Sequence, residues 1–364
     1  MMLSESRICF VVPSLSEGGA ERVVSVLASE LAEQGYPVEV IIYYRCENEY
    51  PISDKVKLVS LTDGDEDDYH KIGFKARIKQ IGEHIKAFGP DYTIPFLPHV
   101  GLHTFLACIG YKTKIIQTIR IAPNISPKSR PQRMIRNYMV RRSYKTLAQT
   151  EEQRLYFSKR VRKKVFVLPN PVYGGFFEEE RIQHEKIRNI VSVGRLTEQK
   201  NFPLIIDAVI DLHSKYPDIR LDIYGDGELR DQLERYIREH GGSEYCHLRG
   251  RSSDLINVYG KCDAFVLPSD FEGMPNSLME AMACAVPCIS TDCETGPSDL
   301  IESGRNGILI PVGSKEKMIE ALEWMIDRPQ DAYAMGLKAR ETTARQFSAK
   351  KIVEKLLLNL EDKR

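Results

Sequence analysis

The feature that most limits what this chain can fold into is an alternation that runs almost end to end. Short runs rich in β-branched and aromatic residues are separated by longer amphipathic stretches. Strand and helix in turn build parallel α/β sheets, an order that neither a β-sandwich nor a helix bundle has. In the first half the strand candidates are 8–15 (ICFVVPSL), 37–44 (PVEVIIYY), 56–61 (VKLVSL), 91–98 (DYTIPFLP), 114–121 (KIIQTIRI) and 144–150 (YKTLAQT). Between the first two, Ala20, Val23, Val24, Leu27 and Leu31 recur at helical spacing and Gly35 supplies the stop, which completes one βαβ unit. Prolines and glycines near 169–175, within VFVLPNPVYGGFF, break the pattern and predict a linker. It restarts with strand candidates at 188–196, 219–227, 245–250, 263–269, 286–291 and 306–312, and a helical tail follows from 314.

A chain of 364 residues exceeds one ordinary core, and its length favours two domains of roughly 150 to 200 residues each. The predicted fold class is therefore α/β, with two doubly wound Rossmann-like domains over 1–170 and 171–345. A C-terminal helix over 346–364 is expected to pack back toward the first domain. Hydrophobic residues make up 42% and charged residues 28%, and no window approaches the ~20 apolar residues of a membrane span. The first residues lack a basic stretch ahead of their apolar run, so no secretory signal is expected and the predicted location is cytoplasmic. Eight scattered cysteines form no C-x-x-C pair and no Cys/His cluster at zinc spacing, which predicts buried, reduced thiols. The net charge of zero hides an asymmetry: residues 1–170 carry 26 Lys and Arg against 18 Asp and Glu, and the remainder carries 25 against 33. No nucleic-acid partner is expected.

In open α/β sheets, ligands sit outside the carboxyl ends of the strands, in loops that enter helix N-termini. Four such loops stand out. Gly18 and Gly19 lie between a strand and a helix, where missing side chains let backbone N–H groups approach an anion; the turn fits neither G-x-G-x-x-G nor a Walker pattern. Arg195 and Lys200, in VGRLTEQKN, suit a diphosphate, while a pair of solvated surface cations is the plain alternative. Gly225 and Gly227, in YGDGEL, end a strand, and helix capping accounts for Asp226 and Glu228 as well as binding does. The fourth loop, FEGMPNSLMEAM, holds Glu272 and Glu280 eight positions apart. Asn276 or Ser277 is expected to cap a helix after Pro275, leaving free N–H groups around Gly273–Ser277. Two rigid carboxylates beside such donors can hold sugar hydroxyls.

Glu272 and Glu280 form an E-x7-E motif. With GGAERV, VGRLTEQKN, YGDGEL and GPSDLIESGRNGILIPVG in the same order, the chain resembles the retaining nucleotide-sugar glycosyltransferases of family 4, including bacterial enzymes of surface-polysaccharide and lipid-linked-oligosaccharide synthesis. The resemblance spans nearly the whole chain and is strong over 190–312. It implies the GT-B architecture, two Rossmann-like domains facing across a cleft, with the first binding acceptor and the second binding donor. It implies catalytic roles for Glu272, Arg195, Lys200 and Arg120, with Arg195 and Lys200 neutralising the departing diphosphate. Glu280 would hold the ribose, and Glu272, with Gly273, Met274, Asn276 and Ser277, the donor sugar. Gly18, Gly19 and Gly225 would line the donor. Many relatives have a histidine after the fifth strand of the first domain, where this chain has Arg120, which leaves Arg120 a candidate for binding sugar or acceptor phosphate. His99, which follows a strand end in FLPHVGLH, is a candidate for lining the acceptor cleft. The implied reaction moves a hexose or N-acetylhexosamine from a nucleotide diphosphate, expected to be UDP, to a hydroxyl of a lipid-linked or polysaccharide acceptor. No cofactor and no essential metal are expected. An epimerase on the same scaffold, or a nucleotide-sugar sensor without catalysis, are the competing readings.

Residues 128–164 hold 13 Lys and Arg against only Glu151 and Glu152. Within them Met134, Ile135, Tyr138 and Met139 recur at helical spacing. This segment is read as a docking face for an anionic membrane presenting a polyprenyl diphosphate-linked acceptor, which would make the protein peripheral on the inner face of the cell membrane. The alternative is an ordinary helix that packs those four residues on its own sheet.

Overall fold

A computed structural model describes residues 6–361 apart from Glu17, Asn48, Ile125 and Lys128. It divides into two compact units, Met1–Pro171 with Ala349–Arg364 and Val172–Ser348. The first unit is built on a sheet of seven strands: β1 (Ile8–Val12), β2 (Val38–Ile42), β3 (Lys57–Ser60), β4 (Tyr92–Pro95), β5 (Lys114–Ile119), β6 (Lys145–Ala148) and β7 (Val165–Val167). Their order is β3-β2-β1-β4-β5-β6-β7, and every recorded pairing is parallel. Strands β1 and β2 are buried at all five positions; β1 is a continuous apolar run covered on both faces, and β2 carries one charge, Glu39, paired with Lys57 at 2.7 Å.

The edge strand β7 falls where the sequence reads as a break. It has three residues and runs straight into Leu168 and Pro169, too short for periodicity to reveal, and it is defined by pairing Val165 with Thr146. The helix Ala349–Leu360 buries Ile352, Val353, Leu356 and Leu360 in this unit, and the Tyr92 hydroxyl donates to the Leu360 carbonyl at 2.9 Å.

The second unit has six parallel strands, β8 (Asn189–Val193), β9 (Arg220–Tyr224), β10 (Cys246–Gly250), β11 (Ala264–Leu267), β12 (Cys288–Thr291) and β13 (Ile308–Ile310), in the order β10-β9-β8-β11-β12-β13. The core around Ile190, Ile205, Ile206, Val209, Ile223, Val266 and Leu322 fixes this sheet. In each unit the strand order reverses beside the first strand, between β1 and β4 and between β8 and β11. Such reversals open a crevice at the carboxyl ends of the strands. Among the described residues no helix is long and apolar enough to cross a membrane.

Candidate active site

At the carboxyl edge of the second sheet, the loops after four adjacent strands interlock. After β8 the chain turns through Gly194–Leu196 and a short 3-10 turn, Glu198–Lys200, before Asn201, in a left-handed conformation at φ 42°, starts the helix Phe202–His213. The Lys200 stem folds over Gly194, where an added Cβ would lie 3.0 Å from Lys200 Cε. This brings Lys200 Nζ to 2.6 Å from Glu272 Oε1. Ser269, just past β11, donates to the same oxygen at 2.7 Å, and Thr295 Oγ1 donates to the Glu272 carbonyl. The Lys200 and Glu272 side chains are only 15% and 8% exposed.

Backbone contacts lock this arrangement. Gln199 Nε2 donates to Phe271 O at 2.7 Å, and Asp270 N to Gln199 O at 2.9 Å, stitching the β8 loop to the β11 loop. Gly225, at φ 142°, sits against Gly194 so closely that a Cβ would be 1.9 Å from the Gly194 carbonyl oxygen. Gly296, at φ 95°, approaches the Gly273 carbonyl in the same way, with a Cβ only 2.4 Å away. Only glycine combines these angles with that proximity.

The helix Asn276–Ala283 starts directly after Pro275, which occupies the capping position in extended conformation without a side-chain cap bond. This corrects the expected cap at Asn276 or Ser277: Asn276 is already helical, because the fixed ring torsion of Pro275 makes the turn one residue earlier. The N–H groups of the first turn therefore receive no side-chain acceptor from the capping residue, which suits an anion. Glu280, one turn in, is 3% exposed and accepts from Tyr259 Oη at 3.4 Å. The two glutamates thus have different partners, Glu272 with Lys200 and Ser269, and Glu280 with Tyr259. Met274 is buried, Gly273, Asn276 and Ser277 are half-buried, and Arg195 is exposed.

In the first unit, Gly18 caps the helix Gly19–Glu33 in extended conformation without a side-chain bond. Arg120, past β5, donates to Asn170 Oδ1 at 2.6 Å and lies over the Phe96 ring at 5.1 Å. Burial pushes its guanidinium down to about 10, so it stays charged at neutral pH. His99 is exposed at the start of the helix Pro98–Ala107, whose preceding residue, Leu97, has φ 75°. His103 is 6% exposed and its Nδ1 lies 3.0 Å from Tyr43 Oη. Burial, then the neighbouring His99 and Arg77, push it down to about 4, so it is a neutral core residue. Among the described residues no three His, Cys, Asp or Glu side chains gather as metal ligands. All eight cysteines are free, and burial pushes the Cys293 thiol, near Glu272, up to about 12.

Sequence patterns pointed to neither Ser269, Gln199, Thr295 and Tyr259 around the carboxylates nor Asn170 beside Arg120. Ser269 carries a faint signal, a polar residue just past a buried strand; the others are joined to the site only through tertiary contacts.

The family model for glycosyl transferases group 1 matches residues 176–342, and the model for glycosyltransferase family 4 matches 17–173. The chain belongs to glycosyltransferase family 4. This glycosyltransferase is 26% identical over 349 residues to an uncharacterized glycosyltransferase of Haemophilus influenzae, covering 95% of this chain and 97% of the other. It is 28% identical to the GalNAc-α-(1→4)-GalNAc-α-(1→3)-diNAcBac-PP-undecaprenol α-1,4-N-acetyl-D-galactosaminyltransferase of Campylobacter jejuni, over 88% and 89% of the two chains. Its fold matches S. aureus TarM, solved with UDP, at a TM-score of 0.80 and 15% identity over 98% and 100% of the chains. Anabaena HepE, solved with UDP and glucose, matches at 0.79 and 15% over 98% and 99%. The glycosyltransferase has the GT-B fold.

Proposed function

We propose that this glycosyltransferase moves a hexose or N-acetylhexosamine from a UDP-sugar to a hydroxyl of a polyprenyl diphosphate-linked saccharide, with retention at the anomeric carbon. The observation that carries the reading is the nearly buried Lys200–Glu272 pair at the sheet edge, beside the helix that opens after Pro275 without a side-chain cap. The UDP held by TarM and HepE supports the donor, and the undecaprenol-linked substrate of the Campylobacter relative supports the acceptor.

The chemical task is to stabilise a departing diphosphate next to an oxocarbenium-like sugar. Lys200 and the exposed Arg195, with first-turn N–H groups of the helix Asn276–Ala283, supply fixed positive charge for the leaving group. That set performs the task without an essential metal ion. Glu272 holds sugar hydroxyls and Glu280 those of the ribose, with Gly225 giving the nucleotide close access to backbone. Gly18 and Gly19 offer the diphosphate or the acceptor a second helix N-terminus, and Arg120 and His99 contact the acceptor. Glu272 shares one oxygen with Lys200 and Ser269, which suits it to binding rather than nucleophilic attack, and we assign it no covalent step. The enzyme works at the inner face of the cell membrane.

The test is UDP release from UDP-sugars with a lipid-linked acceptor, with and without EDTA. Glu272→Gln and Glu280→Gln should each slow turnover at least tenfold, about 1.4 kcal/mol of barrier, with unchanged far-UV circular dichroism. Full activity in both variants, or activity abolished by EDTA, would contradict the corresponding part of this reading.

A further inference from the structure

On the helix Arg130–Arg142 one charged side chain and three large apolar ones have exchanged their usual sides. An ordinary surface helix turns apolar residues inward and charges outward. This one buries Arg136, 6% exposed, together with Met139 and Val140. Arg136 Nη1 donates to the carbonyls of Pro123 and Ser126, each at 2.7 Å, and the guanidinium lies over the Tyr156 ring at 5.3 Å. Meanwhile Met134, Ile135 and Tyr138 are 73%, 43% and 56% exposed. Helical spacing puts the exposed Arg141 and Arg142 on the same face. Three large apolar side chains displayed together on one helix mark an interaction surface.

Charge identifies what covers it. The segment 128–164 carries 13 Lys and Arg and two glutamates, of which Glu151 is paired with Arg154. Exposed Lys159, Arg160, Lys163 and Lys164 extend the positive field past the helix. Cations spread along a surface, rather than gathered in a pocket, complement a diffuse layer of negative charge with an apolar interior beneath it. We propose that this face docks on an anionic bilayer, Met134, Ile135 and Tyr138 entering the headgroup boundary while the arginines meet lipid phosphates. The inference names the surface that would bring the enzyme to the lipid-linked acceptor of the reading above.

The test is cosedimentation of the full chain with vesicles of phosphatidylcholine alone or mixed with phosphatidylglycerol, at low and physiological ionic strength, without donor or acceptor. Vesicle binding is thus read independently of the acceptor's identity. Wild type should bind the anionic vesicles at least tenfold more tightly than the neutral ones, and salt should weaken that binding. Met134→Asp with Tyr138→Asp should lose at least tenfold in binding, whereas Met134→Leu with Tyr138→Phe should retain it. All of these variants should match wild type in thermal melting and in turnover of a short soluble acceptor. Equal binding to both vesicle types, or unaltered binding by the aspartate variant, overturns the proposal. So does a wild-type dimer in sedimentation that the aspartate variant turns into a monomer, since a second copy would then own the face.

Discussion

The carboxyl edges of the two sheets are built on the same plan and finished in opposite ways. In the second unit the loops carry an ion pair of low exposure, and glycines hold backbone against backbone. In the first unit the comparable positions hold an arginine bonded to a neutral amide, a histidine buried against tyrosine, and a glycine at an ordinary backbone angle. On the proposed reading the second unit holds a diphosphate with its ribose, a constant ligand that rewards a rigid, charged frame, because preorganised charge needs no rearrangement when the leaving group departs. On that reading the acceptor meets the first unit, whose edge carries a charged guanidinium, Arg120, held by the Asn170 amide.

The largest expected effect comes from breaking the ion pair. Lys200→Met leaves the Glu272 carboxylate with little solvent and no cation, and should destabilise the second unit by about 3 kcal/mol in chemical denaturation, besides weakening UDP binding in calorimetry. Adding Glu272→Gln should recover most of the stability but none of the activity. By contrast Arg120→Met removes a guanidinium whose partner, Asn170 Oδ1, also accepts from Gln149 Nε2 at 2.9 Å, and should cost about 1 to 2 kcal/mol. Equal losses at the two positions would erase the contrast between the edges.

Next come the glycines. Gly225→Ala must accommodate a Cβ against the Gly194 carbonyl at φ 142°, which should cost about 2 to 3 kcal/mol. Gly18→Ala has φ −90° and meets only the end of the Glu21 side chain, which can turn away, so its cost should stay within about 0.5 kcal/mol. Thermal melts of both variants decide this. A fall in turnover for Gly18→Ala with melting unchanged would mark that helix terminus as a ligand contact.

A pH dependence of comparable size to the Arg120 effect belongs to the first unit. His103, packed with Tyr43, Phe74 and His99 and facing the charge of Arg77, is held at about 4, against about 6.5 in the unfolded chain. Between those values the unfolded chain binds the extra proton, so stability falls as pH falls, by about 1 to 2 kcal/mol at pH 5. Denaturation midpoints for His103→Gln should show a shallower loss from pH 7 to 5 than wild type. An identical slope would remove His103 from the account.

Much of the architecture was written in local pattern. Among the described residues, twelve of the thirteen strands fall within strand candidates visible in the sequence; the inner ones, such as β1 and β11, are unbroken apolar runs because both their faces are buried. β7 escaped because three residues before a proline have no period to detect. The positions of Glu272 and Glu280 were equally plain, since glycines and a proline punctuate a loop between buried segments.

What the sequence determined, then, is which residues share an element and where each element turns. Helical spacing put Met134, Ile135, Tyr138 and Met139 on a broad arc, yet only Met139 turned inward, because which arc is covered depends on distant chain, here the Pro123 and Ser126 carbonyls that draw Arg136 inside. The partners of Glu272 were decided in the same way. Lys200 lies 72 positions away, and the two meet only because β8 and β11, far apart in the chain, are neighbours in the sheet. Periodicity is set by backbone geometry over a few residues, whereas the pairing of charges is set by which strands lie side by side, and that is the property of the folded chain alone.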